Sequence, residues 1–266
     1  MKNVKIVYRT IEEIVKDFQE TIYSAAFIGS NYKANVQKTY KYSDIDCLII
    51  LKSMDKYNDL VSEIKERINN EKIIAINGWG VINQNFLKKE VVHLLIDPIW
   101  YFKERRFLFR NSVSTFPAFY GKSLTDFCEK KEILKDEYLF WAPQRMLNKL
   151  RNNDWDFQTW KYINKELSFE TRENIYSDEL GFISYACVHC IINTLRYLKK
   201  YQEFTPYQKI IYLWEEAKAP NISYVKTLLD YKLNPNSFIQ SKNNILDINN
   251  ASEFLTDLYN WIKRMN

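Results

Sequence analysis

Glycine is scarce in this chain of 266 residues, with only Gly29, Gly78, Gly80, Gly121 and Gly181. A dinucleotide-binding fingerprint needs three glycines within six residues, and a Walker A loop needs a glycine, four intervening residues and then Gly-Lys; neither pattern occurs. Rossmann and P-loop readings are therefore poor. Histidine is limited to His93 and His189, too few to assemble a His-rich zinc site or a serine hydrolase with histidines to spare. The N-terminal stretch MKNVKIVYRTIEEIV has no apolar core of signal-peptide length. The longest apolar run, Leu180 to Leu195, is short for a membrane span and is interrupted by His189 and Asn193. These absences predict a soluble, cytoplasmic chain with no membrane partner. Its four cysteines, Cys47, Cys128, Cys187 and Cys190, are then expected to be reduced thiols. Cys187-Val188-His189-Cys190 has no second cysteine pair at zinc spacing and sits in a helical apolar stretch, so it reads as a buried helix face. A strong excess of one charge is also missing. Lys and Arg number 38 against 33 Asp and Glu, a net charge of +5. That balance suits a phosphate-bearing small ligand and gives little support to a nucleic-acid partner.

What is present is globular composition, 46% hydrophobic and 27% charged, in a chain long enough for one large domain or two modest ones. The first part alternates helix and strand. Thr10 with Glu13 reads as a capping box opening a helix through Ile11, Ile14, Val15, Phe18 and Ile22. Strands are predicted at Ser24–Ile28, Ile45–Leu51, Ile73–Ile76 and Val91–Ile96, with a helix from Tyr57 to Ile68 and a turn at Gly78-Trp79-Gly80. Residues 30–43 read as a polar loop or short helix. Beyond about residue 120 helical patterns dominate: Ile133–Leu150, Trp155–Leu167, Asp178–Tyr201, Pro206–Ala217, Ser223–Leu233 and Ala251–Met265. Thr205-Pro206-Tyr207-Gln208 is a helix-start signal, and 234–250 reads as an Asn-rich loop. The expected fold is α+β. A small mixed sheet with flanking helices (1–125) precedes a helical bundle (126–266), with the boundary between 120 and 135.

One constellation carries chemistry. Asp44 and Asp46 stand two apart at the start of a strand, so their carboxylates project from one face. Two such carboxylates repel unless a cation sits between them. Magnesium accepts hard oxygen ligands and retains water, so two aspartates and substrate phosphates suffice for a two-metal phosphoryl-transfer site. Gly29-Ser30 closes the preceding strand. A glycine there lets the backbone approach a phosphate closely, and the serine hydroxyl with neighbouring N–H groups can hold a polyphosphate. Gly29, Ser30 and Ser43 are the candidate nucleotide-binding residues at this end.

The sequence FIGS at 27–30 followed by SDIDCLII at 43–50 resembles the DNA-polymerase-β-like nucleotidyltransferase superfamily. Its signature is strand, Gly-Ser, loop, then two aspartates alternating with apolar residues on the next strand. The resemblance implies that Ser30 and its neighbouring backbone bind the β- and γ-phosphates of a nucleoside triphosphate, while Asp44 and Asp46 bind Mg²⁺. Residues 190–215, CIINTLRYLKKYQEFTPYQKIIYLWE, loosely resemble part of the C-terminal domain of aminoglycoside and lincosamide nucleotidyltransferases. On that resemblance Arg196 or Lys209 would meet the triphosphate from the C-terminal side. The chain departs from the family pattern in its longer loop between Ser30 and Asp44, which lacks the family's second glycine, and at the third acid. On KKEVVHLLIDP, residues 88–98, the in-register position holds His93. Strand period puts His93, Leu95 and Asp97 on one face and Glu90 on the other. The third group is then His93 as a neutral base or metal ligand, Asp97 one step along, or Glu90 if the register slips.

Among other residues, Lys103-Glu104-Arg105-Arg106 reads as a solvated helix face. Trp155, Trp160 and Tyr185 are candidates to stack a base, drawn from 7 Trp, 19 Tyr and 16 Phe. The expected activity is Mg²⁺-dependent transfer of a nucleoside monophosphate, AMP first, from ATP to a hydroxyl of a small molecule of aminoglycoside or lincosamide type. Two alternatives stay open: a nucleotidyltransferase acting on a protein or tRNA, as antitoxin-like relatives do, and a nucleotide-binding module without catalysis.

Overall fold

The computed structural model describes residues 2–29, 44–105, 116–127, 134–198, 207–233 and 245–265. Ser30, Ser43, Cys128, Thr205 and Pro206, and the loops predicted over 30–43 and at 234–244, lie outside the described residues. The protein is α+β and divides into two compact units. One comprises 1–130 with 156–174; the other comprises 131–155 with 175–266.

The first unit is built on a mixed five-stranded sheet in the order β3-β4-β2-β1-β5. Its strands are β1 (Ile22–Ile28), β2 (Ile45–Leu51), β3 (Ile73–Asn77), β4 (Glu90–Pro98) and β5 (Ala118–Gly121). β2 and β4 run parallel, as do β3 and β4, whereas β1 is antiparallel to β2 and to β5. Cys47 to Leu51 are buried to a residue, the continuous apolar run of a strand covered on both faces. Helix α1 (Lys2–Asp17) and helix α2 (Tyr57–Ile68) contribute Val7, Ile11, Ile14 and Val15, and Tyr57, Leu60, Ile64 and Ile68, to the same core. α1 corrects the predicted cap at Thr10. The apolar stripe continues one turn back to Val7, so the helix starts earlier and Thr10 lies inside it. Short helices α3 (Gln84–Leu87) and α4 (Ile99–Arg105) flank β4. On α4, Lys103 and Glu104 are exposed, as a solvated face requires.

The helix expected over Trp155–Leu167 is instead an antiparallel hairpin, β6 (Phe157–Ile163) and β7 (Glu166–Arg172). Its two-residue loop, Asn164-Lys165, has φ of 51° and 67°. That is the backbone of a type I′ turn, whose twist matches the strands it joins. Trp, Tyr, Phe, Thr and Ile in the two strands favour the pleated state over helix. The hairpin belongs to the first unit: the Tyr57 hydroxyl donates to the Trp160 carbonyl at 3.1 Å and the Tyr162 hydroxyl to Asp55 at 2.8 Å.

The second unit is helical. Helix α5 (Lys135–Leu139) runs through a π-helical turn, Phe140–Gln144, into α6 (Arg145–Arg151). α7 (Glu179–Tyr197) is capped by Asp178, whose carboxylate accepts from the Gly181 N–H at 2.9 Å. α8 (Tyr207–Glu216), α9 (Ile222–Leu233) and α10 (Ile248–Arg264) follow. α10 opens three residues before the predicted Ala251 because Asp247 caps it, accepting from the Asn250 N–H at 2.8 Å. Cys187 and Cys190 are fully buried in the core with Trp214, Leu228 and Phe254; burial pushes the Cys187 thiol up to about 12. Among the described residues no helix is long and apolar enough to cross a membrane.

Candidate metal centre

The parallel register of β2 and β4 sets Asp46 directly opposite His93. Side chains at paired positions share a face, so the alternation that brings Asp44 and Asp46 to one side of the sheet brings His93 there as well. Its Nδ1 lies 3.2 Å from Asp46 Oδ1 and 4.0 Å from Asp44 Oδ2. One ligand atom from each of Asp44, Asp46 and His93 falls within 4.8 Å of the others, a grouping able to hold a metal ion. The side chains of Asp44 and Asp46 are 27% and 22% exposed, against 9% for His93. The carboxylates are thus the more accessible groups, while the imidazole forms the floor.

The floor is held in one orientation. His93 Nε2 lies 2.7 Å from the Gly78 carbonyl oxygen. A carbonyl only accepts, so Nε2 carries a proton. In the neutral ring Nδ1 is then the lone-pair nitrogen, and it is the one aimed at the carboxylates. Only the charged ring, with a proton on Nδ1 as well, donates to Asp46 Oδ1. Burial disfavours that imidazolium and is the largest single influence on this group. The hydrogen bond to Asp46, the charges of Asp46 and Asp44, and the bond to Gly78 together outweigh it and raise its pKa.

Gly29 shapes the other wall. It ends β1 with φ of +75°, and a Cβ built there would stand 2.4 Å from Asp46 Oδ2. The Asp46 carboxylate therefore packs against bare backbone, in a conformation that L side chains avoid.

The Gly78-Trp79-Gly80 segment is fixed in turn by the hairpin. Trp79 exchanges two backbone hydrogen bonds with Gln158, at 2.6 and 2.8 Å. Phe157 lies where a Cβ on Gly78 or Gly80 would stand, at 2.2 and 2.3 Å, so both positions are glycine for want of space. Asp97, on the His93 face of β4, is wholly buried. Its Oδ1 accepts from the indole N–H of Trp79 and of Trp160, each at 3.0 Å. It anchors turn and hairpin rather than joining Asp44 and Asp46. Glu90 is exposed at the start of β4 and pairs with Ile73.

Trp160 is buried, stacked on Phe169 at 3.7 Å, which removes it from the base-stacking candidates. Trp155 packs on Phe182, and Tyr185, 38% exposed, stacks on His189. Arg196 occupies the last turn of α7, where a cation complements the helix dipole, and Lys209 is exposed on α8. Burial and the Arg196 and Arg145 guanidiniums push the His189 imidazole down to about 4.

The roles of Gly78, Trp79, Phe157 and Trp160 in shaping the site were missed from sequence. The available signals were the strand-favouring run at 157–163 and the pair of glycines flanking Trp79. No protein-family model, curated protein or solved structure matches the chain.

Proposed function

We propose that this chain is a divalent-cation-dependent nucleotidyltransferase that moves a nucleoside monophosphate, AMP first, from a nucleoside triphosphate to a hydroxyl of a small molecule of aminoglycoside or lincosamide type. One observation carries the reading. A strand ends in a left-handed glycine whose backbone lies against the second of two same-face aspartates on the neighbouring strand. On this reading the five-stranded unit is the nucleotidyltransferase sheet and the helical unit the acceptor-binding domain.

Asp44 and Asp46 hold the cation, and the donor set fits one: two partly exposed carboxylates and an imidazole nitrogen offer ligand atoms within 4.8 Å of one another. When bound, such an ion polarises the α-phosphate and stabilises the departing pyrophosphate. Gly29 leaves open the backbone against which the triphosphate lies. Ser30, with its neighbouring backbone, is the hydroxyl assigned to the β- and γ-phosphates, and Ser43 is a second nucleotide-binding candidate of the same unit. The second reading, a nucleotide-binding module without catalysis, is favoured by His93 in the place of a third acid.

Transfer from α-labelled ATP to a panel of hydroxyl acceptors, with pyrophosphate release, tests the proposal. The wild type should label an acceptor, and Asp44→Asn and Asp46→Asn should abolish labelling. Full turnover in either variant refutes the two-carboxylate site. Nucleotide and cation binding without transfer to any small molecule, protein or RNA in a cell extract supports the binding module.

A further inference from the structure

We propose that the Asp44–Asp46–His93 site is built for a later first-row divalent ion, of the Co²⁺ or Zn²⁺ kind, in preference to Mg²⁺. The inference rests on the reading of Asp44 and Asp46 as cation ligands and adds the class of ion.

The donor set is two carboxylate oxygens and one imidazole nitrogen. Magnesium takes hard oxygen ligands and sheds water reluctantly, whereas imidazole suits later divalent ions. A buried histidine at this position offers Mg²⁺ little and offers those ions a strong ligand.

The orientation of the ring makes it a ligand rather than a bystander. Its Nε2 proton is committed to the Gly78 carbonyl at 2.7 Å. An imidazole fixed through its far nitrogen by a backbone carbonyl is the arrangement that metal-ligating histidines adopt. That carbonyl is held in place: the Gly78 N–H donates to the Leu94 carbonyl at 3.1 Å, Trp79 is paired with Gln158, and Phe157 fills the space beside both glycines. The ring cannot turn without breaking its hydrogen bond to that fixed carbonyl.

Spacing agrees. Two ligands about 2.1 Å from one ion stand roughly 3.0–3.4 Å apart at adjacent corners of an octahedron or tetrahedron. Nδ1 and Asp46 Oδ1 are 3.2 Å apart, already at that separation. Asp44 Oδ2, at 4.0 Å from Nδ1, closes the set by a small rotation of a partly exposed side chain.

Titration of the metal-free chain with MnCl₂, CoCl₂, ZnCl₂ and MgCl₂, without nucleotide, reads the preference directly. The expected result is at least about 10-fold tighter binding of Co²⁺ or Zn²⁺ than of Mg²⁺. A His93→Asp variant should lose roughly 10- to 100-fold in Zn²⁺ or Co²⁺ affinity, the range seen when a ligand environment is disturbed, while holding or gaining Mg²⁺ affinity. A second readout needs no variant. In ¹⁵N NMR of the imidazoles, saturating Zn²⁺ should shift the Nδ1 resonance of one histidine while its Nε2 keeps its proton, and saturating Mg²⁺ should not. Equal affinities for Mg²⁺ and Zn²⁺, or no Nδ1 shift with Zn²⁺, overturns the ion-class inference and leaves the proposed function standing. If no cation binds at all, both fall.

Discussion

Replacing Gly29 by alanine perturbs the site at a single atom, and its effect can be worked out in two parts. The backbone part follows from φ of +75°, a conformation that costs an L residue about 1–2 kcal/mol. In a unit of this size that lowers the melting temperature by roughly 2–8 °C. The second part is local. The new Cβ would stand 2.4 Å from Asp46 Oδ2, so the carboxylate must retreat by about 1 Å to regain van der Waals contact. A misplacement of about 1 Å at reacting groups costs about 10²-fold. Gly29→Ala should therefore lose cation affinity and any transfer activity far beyond its loss of stability. Gly121→Ala is the matched control, with φ of +77° and a Cβ 2.2 Å from the Tyr23 carbonyl oxygen, at a position outside the Asp44–Asp46–His93 group. Thermal unfolding and cation titration of both variants form the assay. Both should be destabilised, and only Gly29→Ala should bind the ion poorly. If Gly29→Ala binds the cation as the wild type does, the packing of Asp46 on bare backbone has no functional meaning.

The two histidines should titrate apart in the metal-free chain, His93 above 6.5 and His189 at about 4, read by NMR of the imidazole protons. A raised folded-state pKa means that His93 contributes stability fully present below its unfolded value near 6.5 and lost as pH rises through the folded value. His189 is lowered, so its contribution is complete above about 6.5 and is lost as pH falls towards about 4. Asp46→Asn should bring the His93 titration down and leave His189 unmoved; two overlapping titrations near 6.5 would contradict both assignments. Asp97→Ala should leave the buried indole N–H of Trp160 and the half-buried one of Trp79 without their acceptor and lose roughly 1–4 kcal/mol in urea unfolding, since a buried unsatisfied donor costs about 1–3 kcal/mol and a half-buried one less. Asp97→Asn keeps an oxygen acceptor and should lose less, with cation affinity within a few-fold of wild type. A collapse of cation binding in a folded Asp97→Asn would make Asp97 a ligand.

Much of the sheet and the carboxylate pair was legible in the sequence because both rest on local periodicity. Alternation puts Asp44 and Asp46 on one face, and apolar runs mark β1 to β4. The family resemblance put His93 at the third-group position of β4 with Asp97 and Glu90 as alternatives, and the pairing of His93 with Asp46 comes from the parallel register of the fold. The hairpin was not. Trp160, Ile163 and Leu167 fall at intervals of three and four that a helix also satisfies, and Asn-Lys is a weak turn signal beside Asn-Gly, so periodicity chose the wrong state. With the hairpin missed, Asp97 looked like a spare acid. Its partners, Trp79 and Trp160, lie 18 and 63 residues away in sequence, and only the fold brings those indoles onto it. The commitment of Nε2 to the Gly78 carbonyl was equally hidden, because a backbone acceptor leaves no mark in residue identity.

The most direct test of the central claim is anomalous diffraction from crystals grown with Mn²⁺ and a non-hydrolysable ATP analogue. The account predicts an anomalous peak within bonding distance of Asp44, Asp46 and His93 Nδ1, with the triphosphate lying along the Gly29 end of β1. A peak elsewhere, or a nucleotide bound away from Gly29 with no ion between the carboxylates, would contradict it.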